Sequence, residues 1–172
     1  MLSIEKCIVP ANSLLQKYSI DGAYVDCYST VILGRVYFPE FIFAFYTTSL
    51  FKLERVILKF TVSKPSTDDQ ARQLADGGIE TFAAWSVENR NENEILMCDF
   101  LKRTRSWLMV VPINIVGGTR THLYFGTAIV PMQISKTGKP SIGFGFQALL
   151  GFHKIYSRLL LYSAKSHISS QF

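Results

Sequence analysis

The stretch Gly143-Phe144-Gly145-Phe146-Gln147-Ala148-Leu149-Leu150-Gly151-Phe152-His153-Lys154-Ile155-Tyr156-Ser157-Arg158-Leu159-Leu160-Leu161-Tyr162-Ser163-Ala164-Lys165-Ser166-His167-Ile168 decides the architecture. From Gln147 onward it reads as one long amphipathic helix. Leu149, Phe152, Tyr156 and Leu160 recur at helical spacing and form a stripe, with Lys154, Arg158 and Lys165 largely off it. A core stripe with a solvated basic flank explains this pattern better than a membrane-binding helix.

Upstream the period changes from helical to alternating. Residues 105–111 and 121–130 read as a strand pair around Gly117-Gly118, and Pro131 ends the second of them. Residues 81–88 and 94–100 read as another pair, joined by the turn-forming Asn89-Arg90-Asn91-Glu92-Asn93. Residues 24–33 are rich in β-branched and aromatic types and form the first strand after the Asp21-Gly22 turn. Between that strand and the others lie two short helices within 39–62. Pro39-Glu40 suits a helix start, residues 41–46 are apolar nearly all round, and Thr47-Thr48-Ser49 offers capping oxygens for a second start. Leu50, Leu53, Ile57 and Phe60 then recur at helical spacing. Lys64-Pro65-Ser66 closes this unit. Thr67-Asp68-Asp69-Gln70 matches a capping box and Asp76-Gly77-Gly78 a stop, so a short helix or a loop lies between them. Lys136 to Pro140 reads as a polar loop.

The order strand, helices, strands, long final helix is what a sheet needs to close round one helix and leave a pocket between them. The expected fold class is α+β: an antiparallel sheet wrapped around a long C-terminal helix, with two short helices after the first strand. The 172 residues fit one domain spanning 1–172, in which residues 1–20 stay unassigned.

Composition narrows the function classes. A 48% apolar content with 18% charged residues indicates a folded globule. The net charge of +5 is ordinary for a small domain, and its one local cluster, Lys102-Arg103-Thr104-Arg105, is too short for a nucleic-acid groove. No nucleic-acid partner is expected. Cys7, Cys27 and Cys98 are odd in number and widely spaced, which signals neither a disulfide framework nor a zinc site and suits a reduced, cytoplasmic setting. Glu5 and Lys6 interrupt any secretory core at the N-terminus. Lys52, Glu54, Arg55 and Lys59 break the apolar run 41–60, so stable membrane insertion is not expected.

No phosphate loop, nucleophile elbow or metal-spaced histidine pair is present, and no cofactor is expected. Gly143-Phe144-Gly145 has glycine spacing without the remainder of a dinucleotide fingerprint. His153, with Tyr156 three residues on, would border a cavity if it faced inward. Alternation puts Arg105, Trp107 and Met109 on one strand face. If Trp107 faces inward, Arg105 reaches the pocket with it, and Asp99 across the turn would be its carboxylate partner. The pair would then either pin the turn or anchor an acidic or carbonyl-bearing ligand. Trp85, Tyr124 and Phe152 complete the aromatic candidates for the lining.

This arrangement resembles the helix-grip superfamily, which includes START lipid-transfer domains, the birch-pollen-allergen type and polyketide cyclases. The resembling elements are residues 24–33, 39–60, 81–100, 105–130 and 144–164. Within them, Phe45-Tyr46-Thr47-Thr48-Ser49-Leu50-Phe51 and Leu150-Gly151-Phe152-His153-Lys154-Ile155-Tyr156-Ser157-Arg158 are similar to segments of a group of uncharacterised bacterial proteins. The resemblance implies an apolar cavity between sheet and final helix and carries over no catalytic residue. About five strands are legible where the superfamily commonly has more, so a further strand is expected in 1–20 or 133–142. The leading expectation is a binding protein for a small apolar molecule or lipid. A cyclase-, hydratase- or aromatase-type enzyme using Asp99, His153 or Tyr156, and an interaction module with a filled interior, are the alternatives.

Overall fold

The computed structural model of the protein describes residues 4–130 and 144–170. The chain runs β1 (Glu5–Lys6), α1 (Gln16–Ile20), β2 (Tyr24–Leu33), α2 (Phe38–Tyr46), α3 (Ser49–Val62), α4 (Asp68–Ala75), β3 (Thr81–Phe82), β4 (Trp85–Arg90), β5 (Glu94–Asp99), β6 (Thr104–Ile115), β7 (Gly118–Ile129) and α5 (Phe144–Ser169). All pairings in the seven-stranded sheet are antiparallel, in the order β1-β2-β7-β6-β5-β4-β3. The class is α+β, with the C-terminal helix packed on the sheet.

Local chemistry accounts for the element boundaries. Glu40 reaches back to the Tyr37 amide to cap α2, and Thr48 Oγ1 accepts from Phe51 N at 3.1 Å to start α3. Thr67 and Gln70 form the capping box of α4, which is a helix and not a loop. The helical unit therefore holds three helices, and the strand before it is the second of the chain. The missing strand is β1. The other segment proposed for it, 133–142, and the 136–140 loop lie outside the described residues. Strand β6 runs past Pro112. The register of β5 ends opposite Met109, so at Pro112 only β7 flanks β6, as at a sheet edge, where proline is tolerated.

The sheet is buried on both faces. On one, Tyr28, Leu108 and Phe125 meet Phe41, Phe45 and Tyr46 of α2 and Leu160, Leu161, Ala164 and Ile168 of α5. The Phe45 and Phe125 ring centroids are 4.8 Å apart. On the other, residues 4–20 cover Cys27, Leu96, Trp107 and Ala128, with Leu15 as the central plug. Gly126 makes that plug possible, because a Cβ there would sit 2.5 Å from Leu15 Cδ2 and 3.0 Å from Trp107 Cε3.

The N-terminal cover also brings two distant cysteines together. Cys7 N donates to Cys27 O at 2.9 Å, and the two free thiols are 3.0 Å apart. The hydrogen bond with Cys27 outweighs burial and lowers the Cys7 pKa to about 7, while the Cys27 thiol is pushed up. Mild oxidation with diamide is expected to close this pair and leave Cys98 as the single alkylatable thiol, read by intact mass after denaturing alkylation. Three alkylations after that treatment would show that the pair cannot reach bonding geometry.

Candidate functional site

Helix α3 has an unusual orientation. It buries Arg55, at 8% exposure, and half-buries Glu54, while Leu53, Val56, Ile57 and Phe60 are exposed. Arg55 sets this rotation by donating to Ser66 Oγ (2.9 Å), Ser66 O (2.7 Å) and Asp68 Oδ1 (2.6 Å). Between α3, α5 and the helix-covered sheet face lies a cavity of about 590 Å3. Its inner wall includes Phe45, Phe125, Leu160 and Ser106, and its rim carries Leu53, Ile57, Phe100, Phe152, Ile155 and Leu159, all exposed.

The polar groups of the cavity form distinct sets. In the first, Tyr156 Oη donates to Glu54 Oε2, with the Trp85 indole also bonding the carboxylate. Burial raises the Glu54 pKa against the lowering effect of these two partners, and burial followed by the Glu54 charge raises Tyr156 as well. In the second, Thr127 Oγ1 donates to Asp26 Oδ1 and lies 2.8 Å from His153 Nε2. With the hydroxyl proton given to Asp26, His153 must carry its own proton on Nε2 to complete the contact. Asp26 is buried, its Oδ2 has no hydrogen-bond partner, and that atom is 3.8 Å from His153 Nε2. This is not a nucleophile relay, because the carboxylate holds the threonine hydroxyl and not the imidazole's far nitrogen. In the third, Asp99 Oδ1 accepts from Arg103 N (2.7 Å) and Thr104 N (2.9 Å) and so fixes the β5–β6 turn. The Ser157 hydroxyl is fully buried, lines the cavity and has no partner.

Of the residues singled out from sequence, Trp85, Asp99, Phe152, His153 and Tyr156 line this cavity. Arg105, Trp107 and Tyr124 do not. Arg105 and Trp107 share one strand face, but it is the face covered by the N-terminal segment. The Arg105–Asp99 pair does not form, because Asp99 stands opposite Trp85 on the helix side of the sheet. The carboxylate partner of Arg105 is Glu88, bonded at 2.5 Å, with Tyr18 Oη at 2.8 Å. Trp107 donates to Glu94 Oε2 at 2.7 Å, and Tyr124 packs beside it with ring centroids 6.2 Å apart. Asp99, His153 and Tyr156 share one cavity, yet each is bonded to a different partner and none to another of the three.

Glu54, Asp26 and Thr127 had no place among the sequence candidates. A usable signal existed for the two acids. Each is a lone carboxylate inside an apolar run, Tyr24–Leu33 for Asp26 and 50–60 for Glu54, where an unneeded charge is costly.

Among the described residues no group of three His, Cys, Asp or Glu side chains is placed to hold a metal ion, and no helix is long and apolar enough to cross a membrane. No family model, curated protein or solved structure matches the chain.

The state of Glu54 has a measurable signature. Its facing groups are Tyr156, Trp85 and Tyr46, none of them cationic. An acid whose folded pKa is raised favours folding below its unfolded pKa, ~4.3, and loses that contribution as pH rises through the folded value. Glu54→Gln, neutral at every pH, is therefore expected to raise Tm by about 3 °C above that window. The gain should fall away as pH drops well below ~4.3, where the parent carboxyl is neutral in both the folded and unfolded states. Thermal scans across pH check this, and a Tm difference independent of pH would count against it.

Proposed function

We propose that the protein binds a small, largely apolar molecule in the cavity between sheet and C-terminal helix, on a fold of the helix-grip type. One observation carries this reading. The cavity, about 590 Å3, is walled mostly by aromatic and aliphatic side chains with a few polar groups among them, which is the usual composition and size of a small-molecule site. The sheet order supports the fold assignment, since β2 pairs with β7 while the helices between β2 and β3 lie on the same face as α5. The driving force is removal of apolar guest surface from water, at roughly 25 cal/mol per Å2 before the costs of association.

Native mass spectrometry of the purified protein, organic extraction, and titration with the neutral dye Nile red test the reading. Stoichiometric dye uptake, displaced by the extracted compounds, is expected. Thr104→Trp, which places an indole into the cavity from β6, is expected to weaken dye binding by about tenfold or more through loss of guest volume. Protein that is empty and takes up no dye would remove the proposal.

A further inference from the structure

The charge of the cavity runs opposite to the charge of the chain. Lys and Arg total 18 against 13 Asp and Glu, yet among the described residues no Lys or Arg lines the cavity, whereas Glu54 and Asp99 do and Asp26 lies directly behind Thr127 and His153. Four of the described cations around the helices and sheet are engaged elsewhere. Arg55 and Lys52 bind Asp68, Arg105 binds Glu88 on the far face, and Lys165 donates to Thr30. The hydroxyl and indole donors around Glu54 are spent on the carboxylate itself.

An apolar guest ending in a carboxylate or phosphate would therefore enter a low-dielectric space in which the described lining offers no Lys or Arg countercharge and presents like charges. A cationic end meets the reverse. Glu54 supplies the counterion, and the faces of Trp85, Tyr156 and Phe152 supply the ring quadrupoles that attract ammonium groups. Phe152 and Tyr156 are stacked, with centroids 5.9 Å apart and planes 14° from parallel, so two aromatic rings lie together on this lining.

We propose that the guest is a lipophilic amine, with its ammonium group against Glu54 among the rings of Trp85, Tyr156 and Phe152 and its apolar body along Phe45, Phe125 and Leu160. This inference rests on the proposed binding function and names the chemical class of the ligand. It is tested by displacement of Nile red from the full chain with decylamine, decanol and decanoate, each below its micellar concentration and near neutral pH. Decylamine is expected to displace the dye at concentrations about tenfold lower than decanol, with decanoate the weakest of the three. Glu54→Gln is expected to close the gap between amine and alcohol to about twofold, chiefly by weakening decylamine. If that variant does not fold, Phe152→Ala removes only a rim ring that is 67% exposed. It is then expected to weaken decylamine about threefold more than decanol. Decanoate equal to or better than decylamine, or an amine-to-alcohol gap left undiminished by Glu54→Gln or, where that variant does not fold, by Phe152→Ala, overturns the amine assignment while dye and decanol binding still support an apolar guest. Failure of dye and of all three probes overturns both.

Discussion

Trp107→Ala is expected to lower the unfolding free energy by about 3–5 kcal/mol, read from denaturant midpoints. The side chain is fully buried between the sheet and residues 4–20, where it contacts the cluster of Leu15, Leu96 and Met109. Its truncation leaves a large void at the centre of the second core. It also removes a donor from Glu94, a buried carboxylate whose Oε2 accepts from both Trp107 Nε1 (2.7 Å) and Leu14 N (2.9 Å), and whose Oε1 accepts from Asn91 (2.8 Å). A buried charge short of a partner adds to the cavity cost. Trp107→Phe separates the two contributions. It keeps most of the volume and loses the N–H, so about 1–3 kcal/mol is expected. Dye affinity of the folded fraction should not change in either variant, since Trp107 lies on the sheet face away from the cavity. A loss below ~1.5 kcal/mol for the alanine variant would mean that the N-terminal layer contributes little to the folded state.

Arg55→Met is expected to cost about 2–4 kcal/mol, despite replacing a charge with an apolar side chain of similar length. Helix α3 exposes Leu53 (57%), Ile57 (53%) and Phe60 (78%), so its attachment depends on Phe51 and on the polar side that Arg55 anchors. The guanidinium makes three hydrogen bonds and lies over the Phe82 ring, 5.6 Å from its centroid. Arg55→Lys keeps the charge but loses the planar fork, and about half the loss is expected to remain. Burial opposes ionisation of Asp68, but Lys52 and Arg55 outweigh it and hold the carboxyl below its usual range. The contribution of this pair is thus present above the unfolded carboxylate pKa, ~3.9, and lost as pH falls through the lower folded value. Denaturant midpoints measured for the parent and Arg55→Met as pH is lowered should converge, and parallel curves would detach the acid sensitivity from this pair. The partly exposed Asp68 keeps the expected cost below that of a fully buried ion pair.

Local signals carried most of the fold. Strand β2 matches its sequence boundaries because Tyr24 to Leu33 are strand formers throughout, and α4 follows directly from a capping box that closes in the structure as written. Sidedness was not legible. Strand alternation groups Arg105 with Trp107, but it does not say which face the final helix takes, and here both faces are buried. The decisive information lies in residues 4–20, whose packing on the far face follows from Leu15 fitting over Gly126, a contact between positions more than a hundred residues apart. The rotation of α3 was equally hidden. The stripe Leu53, Ile57 and Phe60 has helical spacing, yet Arg55, Ser66 and Asp68 turn it outward through bonds that no local pattern announces. Five of the eight proposed site residues line the cavity because His153 and Tyr156 share a helix with Phe152, and Trp85 opposes Asp99 across one strand pair. Glu54 joins them only through tertiary contacts, with Tyr156 and Trp85.

Strand β4 carries an irregularity between Val87 and Asn89 in its register with β5. The extra residue resets the alternation, so that Glu88 points to the N-terminal layer, where it receives Lys17, Tyr18 and Arg105, while Arg90, two positions later, points to the helical layer and caps the Leu74 and Ala75 carbonyls of α4. An uninterrupted strand would send both side chains to the same side. The molecule's two halves are thus riveted through one polar, partly exposed segment whose composition suggests tolerance. Shortening it by a single residue would unfasten one half or the other, whereas side-chain changes at Asn89 that keep the length would leave both rivets in place.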